Sequence, residues 1–147
     1  MNKKRKPHNV KQPSSRKKPR GKEKPESAET ETIVWHLGII DRFGSWGWND
    51  IKNTILWDGV FRKLRHFETM TWAVIKESRR NHSIPVSELC HDAQKRLCKL
   101  KQDDIEELFS IGLSGKQRIF GIRDRRVLKI LWWDPNHTVC PSMKKYT

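Results

Sequence analysis

Cysteine is scarce in this chain of 147 residues, which contains only Cys90, Cys98 and Cys140. The count is odd and no two cysteines are close in sequence, so we expect reduced thiols in a cytoplasmic protein rather than a disulfide framework. A metal site that combines these thiols with His91 and His137 has no Cys-x-x-Cys or His-x-x-x-His spacing in its favour. We therefore expect no metal.

Long apolar runs are also missing. No segment approaches the ~18 apolar residues of a membrane span, and the N-terminus is charged where a signal peptide is apolar. We expect an intracellular protein with no membrane partner. The glycines Gly38, Gly44 and Gly47 lack the strand-to-helix spacing of a nucleotide-binding loop. Nucleotide hydrolysis is thus not expected, and neither is a cofactor.

Acidic residues are few relative to basic ones, with 17 Asp and Glu against 31 Lys and Arg and a net charge of +14. Residues 1–32 hold 11 basic and 4 acidic side chains, and residues 33–147 hold 20 and 13, so each part carries +7. The second part is therefore basic in its own right. This favours RNA or the ribosome as a partner over a membrane surface, although charge also serves solubility alone.

Residues 1–32 contain four prolines and almost no apolar side chain, which predicts a disordered basic arm. We interpret the arm as a sequence-independent contact to RNA phosphates, and the alternative is a solvated tail. The expected contacts are Lys3, Lys4, Arg5, Lys6, Arg16, Lys17, Lys18 and Arg20.

Residues 33–147 predict a single α+β domain. Apolar spacing indicates a first strand at 33–40, helices near 51–66, 68–79 and 87–101, and three strands at 108–113, 117–123 and 127–133. Residues 79–83 are predicted to form a polar link that ends at Pro85. Its two arginines, Arg79 and Arg80, either bind phosphate or are part of a solvated connector. We expect a small antiparallel sheet of about four strands packed on two to three helices.

The last two predicted strands bring an arginine and a histidine to one end of a hairpin. With the turn centred on Asp124 and Arg125, antiparallel pairing puts Arg118 opposite Leu131, and His137 follows six residues later. Folding back of that exit would leave the arginine and the histidine within about 10 Å. A guanidinium binds phosphate bidentately, and an imidazole with an ordinary pKa near 6.5 transfers protons near neutral pH.

RNA suits this pair because its 2′-hydroxyl is an internal nucleophile, so that cleavage needs alignment, proton removal and charge stabilisation but no metal. We expect Arg118 to bind the scissile phosphate and His137 to act as acid or base. The alternatives are an arginine paired with a carboxylate and a histidine that caps a turn. The expected supporting cations are Arg123, Arg125, Arg126 and Lys129.

Two adjacent tryptophans, Trp132 and Trp133, alternate across the last strand. Alternation predicts that one is core and the other faces outwards, where Trp133 is our candidate to stack an RNA base. The alternative is that both belong to the core.

The order of a strand, helices, and a three-stranded antiparallel run with an Arg in its second strand and a His after its third resembles the RelE/ParE superfamily of small toxins. The likeness is to the YoeB- and HigB-like branches and covers about residues 33–140. It implies a metal-independent endoribonuclease that cleaves messenger RNA at the ribosome, with Arg118 on the scissile phosphate and His137 in proton transfer. It also implies an antitoxin protein as a partner.

One residue departs from this pattern. The YoeB-like branch places a tyrosine directly after the histidine, whereas here Thr138 follows and Tyr146 is the one tyrosine of the chain. The segments FETMTW and WWDP are similar to uncharacterised bacterial and mobile-element proteins, which implies no function. Two other interpretations stay open: a noncatalytic RNA-binding or ribosome-associated protein, and an interaction protein of a toxin or phage-defence locus.

Overall fold

The computed structural model describes residues 28–141, which form a mixed five-stranded sheet with helices on both faces. The strands are β1 (Val34–His36), β2 (His82–Pro85), β3 (Glu107–Gly112), β4 (Arg118–Asp124) and β5 (Val127–Asp134). The helical segments are a π-helix (Ile55–Phe61) that runs into α1 (Arg62–Phe67), then α2 (Trp72–Glu77), a 3₁₀ turn (Val86–Glu88) and α3 (His91–Lys99).

The strand order across the sheet is β1-β5-β4-β3-β2. β1 runs parallel to β5, and the other neighbours are antiparallel. The predicted α+β class is confirmed, but the prediction of a purely antiparallel sheet of about four strands is wrong. The additional strand is β2, which falls in the predicted polar link. Of its four residues, Ile84 alone is buried, so the segment carries little of the apolar alternation that marks a strand.

The β4–β5 hairpin turns at Arg125 and Arg126, one residue later than predicted, since Asp124 pairs with Val127. A bulge between Phe120 and Gly121 then shifts the pairing by one more residue. Arg118 is consequently opposite Asp134, and the predicted pairing with Leu131 is wrong.

Both faces of the sheet are covered. The first face packs against the π-helix, α1 and α2, and its buried residues include Val60, Leu64, Trp72, Phe109, Ile111, Ile119, Leu128, Ile130 and Trp133. The second face packs against α3, and its buried residues include Trp46, Ile84, Ala93, Leu97, Leu108, Phe120, Leu131 and Trp132. Consequently both tryptophans of β5 are buried, with 0% of Trp132 and 6% of Trp133 exposed. The prediction that one of them faces outwards is wrong.

Residues 28–32 belong to the fold, so the predicted boundary at residue 32 is too late. The carbonyl of Glu29 accepts a hydrogen bond from the N–H of Ala73, and Thr32 pairs with Thr71. Ala28 is buried. The remaining residues of the predicted arm lie outside the described part of the chain.

The three predicted helices are present but shorter. The first is π-helical over Ile55–Phe61 before it becomes α-helical, and the second begins after Thr71, whose hydroxyl accepts a hydrogen bond from the N–H of Val74. Among residues 28–141, no helix has the length and apolar character needed to cross a membrane.

Candidate functional site

Basic side chains are concentrated at one end of the sheet. Antiparallel pairing places the start of β2 beside the end of β3, and it aligns Gly112, Arg118 and Asp134 across β3, β4 and β5. Five residues at this end interact electrostatically, directly or through a shared neighbour. We call them the basic cluster: Arg80, His82, Lys116, Arg118 and His137.

Arg80 and Arg118 direct their guanidinium groups at the same backbone carbonyl. Nη2 of Arg80 donates to the oxygen of Gly115 at 2.6 Å, and Nη1 of Arg118 donates to that oxygen at 2.8 Å and to the oxygen of Gln117 at 2.9 Å. Within the described residues, neither guanidinium has a carboxylate oxygen within 4.0 Å. Each therefore keeps N–H donors that an anion can engage.

Gly112 and Asn81 determine where Arg80 lies. A Cβ at Gly112 would be 2.7 Å from Cβ of Arg80 and 2.9 Å from its Nε, so a glycine is required where the arginine crosses the end of β3. The buried side chain of Asn81 accepts a hydrogen bond from the N–H of Gly112 at 3.0 Å and donates one to the carbonyl of Ile75 at 2.9 Å. These two hydrogen bonds fix the backbone at Asn81, and they thereby position the adjacent residues Arg80 and His82.

His137 lies in the turn that follows β5. The fully buried Asp134 accepts hydrogen bonds from the N–H groups of Thr138 (3.0 Å) and Val139 (2.9 Å) and from the hydroxyl of Thr138 (3.2 Å). His137 itself adopts a left-handed backbone with φ of 57°. The carboxylate thus organises the turn that contains His137, and the charge of Arg118 lowers the pKa of that imidazole.

The pKa values of the two central groups are lowered. Burial lowers the pKa of His137, and so does the positive charge of Arg118, whereas Asp134 opposes them; His82 and Lys116 add smaller lowering effects.

Burial also lowers the pKa of Arg118, followed by the positive charge of Arg80, again against Asp134. An arginine nevertheless stays protonated in proteins. At neutral pH the basic cluster therefore offers two permanent guanidinium groups and a neutral His137 that can accept a proton.

Two predicted supporting cations have structural roles instead. The guanidinium of Arg123 lies 3.9 Å from the ring centre of Trp72 and forms an ion pair with Glu29. Arg126 donates hydrogen bonds to the carbonyl of Thr32 at 3.0 Å and to its hydroxyl at 2.9 Å. Both side chains attach residues 28–32 to the sheet.

The other two predicted supporting cations lie, like these, at the opposite end of the hairpin from Arg118. Arg125 is in the turn, with φ of 56°, and Nζ of Lys129 is 4.0 Å from Oδ2 of Asp124. Six residues of β4 separate that end from Arg118, which corresponds to about 20 Å. The structure therefore does not bring the four supporting cations to the Arg118–His137 site.

Trp133 is not available as a base platform because it packs in the core, with its ring centre 5.8 Å from that of Trp48. The expected contacts of the arm all lie outside the described residues: Lys3, Lys4, Arg5, Lys6, Arg16, Lys17, Lys18 and Arg20.

Our site prediction does not include His82 or Lys116, and it leaves open whether Arg80 binds phosphate or belongs to a polar link. A signal for Arg80 and His82 is present in the sequence, because Arg80, His82 and Ile84 alternate with a period of two, as residues on one side of a strand do. Lys116 precedes β4 by two residues and belongs to the same turn as Gly115.

Within residues 28–141, no three His, Cys, Asp or Glu side chains are grouped so that they could hold a metal ion. Comparison of the chain with protein-family models, with curated proteins and with solved structures gives no significant match.

Proposed function

We propose that this protein is a metal-independent endoribonuclease of the RelE-like type, which binds the scissile phosphate of messenger RNA with Arg118 and Arg80 and transfers protons through His137. The observation that supports the proposal most directly is the shared Gly115 carbonyl, which holds two guanidinium groups side by side next to an imidazole with a lowered pKa. Such an arrangement is typical of a site for a multiply charged oxyanion.

Part of the order of elements on which the resemblance rests supports the proposal, with β2 as an additional strand between the helices. Three antiparallel strands follow the helices, Arg118 begins the second of them, and His137 follows the third. Arg80 and His82, which the resemblance did not supply, add further positive charge near Arg118 and His137 from β2 and the residues just before it.

The proposed reaction is a transesterification. Neutral His137 removes the proton of the 2′-hydroxyl, and the 2′-oxygen attacks phosphorus while Arg118 and Arg80 stabilise the additional negative charge. The bond from phosphorus to the 5′-oxygen breaks, which leaves a 2′,3′-cyclic phosphate and a 5′-hydroxyl. The leaving 5′-oxygen takes its proton from the imidazolium of His137, either directly or through water, which restores the neutral imidazole.

A second candidate function is noncatalytic RNA binding at the same basic cluster. The observation that favours it is the role of Thr138, which occupies the position of the tyrosine in the YoeB-like pattern. Its hydroxyl accepts a hydrogen bond from Nε1 of Trp46 and donates one to Asp134, so it is part of the turn. Tyr146 lies outside the described residues.

The test compares His137→Gln and Arg118→Ala with the parent protein, with cleavage of messenger RNA on translating ribosomes as the readout. Glutamine keeps hydrogen bonding but does not titrate, so we expect His137→Gln to lose about 10²- to 10⁴-fold in rate with nearly unchanged RNA affinity. Arg118→Ala should lose both cleavage and affinity because it removes the phosphate ligand.

The matched control is Arg125→Asn, which removes one cation at the far end of the hairpin and keeps a residue that tolerates a left-handed backbone. It should retain cleavage. A His137→Gln protein with full activity would rule out this residue as acid or base. A parent protein that binds RNA but never cleaves it would instead establish the noncatalytic function.

A further inference from the structure

A second basic cleft lies beside the basic cluster, on the other side of the β3–β4 turn. It has a volume of about 510 Å³, and its walls come from the end of the π-helix, from α1 and from that turn. The lining residues are Asp58, Gly59, Arg62, Lys63, His66 and Ser114.

The helical register explains why the cations face this cleft. Val60, Leu64 and Phe67 are buried in the core, which turns Arg62, Lys63 and His66 to the exposed side of the same helix. Gly59 adds open space, since a Cβ built there would meet no atom within 4 Å. The segment that precedes α1 is π-helical, a rare conformation that is frequent at functional sites.

The charge in the cleft is not neutralised by ion pairs. Two permanent cations and one imidazole face a single carboxylate, that of Asp58. Within the described residues, neither Arg62 nor Lys63 has a carboxylate oxygen within 4.0 Å. The chemistry of the cleft thus fits an anion with several oxygens.

The cleft and the basic cluster share the β3–β4 turn. Ser114 lines the cleft, the carbonyl of Gly115 receives Arg80 and Arg118, and Lys116 belongs to the basic cluster. A polyanion strand that is held at Arg118 needs to cross only this turn to reach Arg62 and Lys63. Because a nucleic acid carries a phosphate at every nucleotide, one strand can occupy both places.

We propose that this cleft is a second phosphate subsite, which binds a phosphate of the RNA strand on one side of the phosphate held by Arg118. The identification of the ligand as RNA rests on the proposed function. The subsite itself depends only on the cleft and on its connection to the basic cluster.

The test measures binding by the full chain with two probes. One is a 12-nucleotide 2′-O-methyl RNA, which cannot be cleaved, measured by fluorescence anisotropy; the other is a dinucleotide with one phosphate, measured by NMR titration. Arg62→Ala combined with Lys63→Ala removes two cations of the cleft. Lys95→Ala combined with Lys99→Ala is the control, since it removes two exposed cations from α3.

We expect the cleft variant to bind the 12-nucleotide RNA at least about tenfold more weakly than the control variant. Its slope of log K against log salt should be shallower by about 0.7, since the subsite neutralises one phosphate and each neutralised phosphate of a single strand contributes about 0.7 to the slope. The dinucleotide should bind the cleft variant as well as it binds the parent, because one phosphate occupies the basic cluster alone.

Equal affinity and slope for the cleft variant and the control variant would overturn the subsite. Arg118→Ala separates this proposal from the proposed function. If Arg118→Ala binds both probes like the parent while the cleft variant is weakened, the cleft is established and the proposed function fails. If the parent binds neither probe, both proposals fail. Circular dichroism of all variants confirms that the fold is retained.

Discussion

Two arginines on one carbonyl oxygen are an unfavourable pairing for a folded protein, because like charges at short range repel and partial burial strengthens the repulsion. Burial and the charge of Arg80 accordingly lower the pKa of Arg118, and Asp134 opposes them. A bound phosphate reverses the balance, since its charge attracts both guanidinium groups. We therefore interpret the arrangement as consistent with the anion site that we propose.

The pKa of His137 should also respond when phosphate binds between the guanidinium groups. Burial and the charge of Arg118 disfavour the imidazolium, so we expect a pKa below 6.5 in the free protein. Inorganic phosphate at the site neutralises those charges and should raise the pKa of His137. Arg118→Ala should also raise it in the free protein. NMR titration of the imidazole protons, with and without phosphate, measures each shift.

A pKa of His137 that phosphate does not move would contradict the assignment of the basic cluster as an anion site.

The site residues differ in how far sequence could predict them. Arg118 and His137 were placed at one end of the hairpin correctly even though the predicted register was wrong, because that placement depends only on strand order. Trp133 was misassigned because alternation identifies two sides of a strand but does not show that both sides are covered. The position of His82, and the choice between the two roles left open for Arg80, depend on β2, which is paired only in the tertiary fold.

At the scale of elements, the short edge strand β2 connects the site to the core. It is attached through Asn81, which bonds to Gly112 at the end of β3 and to Ile75 in α2. Its neighbours Arg80 and His82 belong to the basic cluster. The geometry of the site thus depends on one buried amide.

Asn81→Ala should therefore affect both stability and binding. The change leaves the N–H of Gly112 and the carbonyl of Ile75 without their partner, and we expect a loss of about 3 kcal/mol in the free energy of unfolding. Ser83→Ala, which changes an exposed residue in the adjoining strand β2, should cost less than about 0.5 kcal/mol. Urea unfolding measures both values.

Asn81→Ala should also bind RNA more weakly, when measured at a temperature at which the variant is folded. The reason is that the backbone next to Arg80 loses the two hydrogen bonds that fix it. An Asn81→Ala protein with the parent's stability would show that β2 is held by other contacts.

Two features of the sheet had no usable signal in the sequence. The parallel pairing of β1 with β5 brings together residues more than 90 positions apart, and the three residues of β1 suit either direction. The bulge depends on Gly121, where a Cβ would lie 2.6 Å from the carbonyl oxygen of Lys129. A glycine inside a strand pattern indicates a bulge or a close backbone approach, but it does not indicate how the register shifts.

At the scale of the whole molecule, positive charge is divided between the fold and its N-terminal segment. Residues 1–27 contain 11 Lys and Arg against two Glu, whereas residues 28–32 add two more Glu and no base. Those two glutamates are used by the fold: Glu29 pairs with Arg123 and Lys76, and Glu31 with Arg126. Within residues 1–32, the cations that we assign to RNA binding therefore precede residue 28, and the residues that stabilise the domain follow it.

Two truncations test this division. A chain that begins at Ala28 keeps the Glu29–Ala73 and Glu31–Trp72 backbone hydrogen bonds, whereas a chain that begins at Ile33 loses both. We expect the second truncation to unfold with a free energy about 3 kcal/mol lower than the first, from the loss of these and the neighbouring side-chain bonds. Urea unfolding of the two proteins checks the difference.

For RNA binding, we expect the first truncation to have the effect and the second to have none, which is the reverse of the expectation for stability. Removal of residues 1–27 takes away all the cations of the arm, so the slope of log K against log salt should become shallower by about 0.7 for each phosphate that the arm neutralises on a single strand. Further removal of residues 28–32 takes away no basic residue and should leave the slope of the folded protein unchanged. If the full chain and the chain from Ala28 have the same slope, the arm does not bind RNA, and the affinity arises from the basic cluster and the cleft beside it.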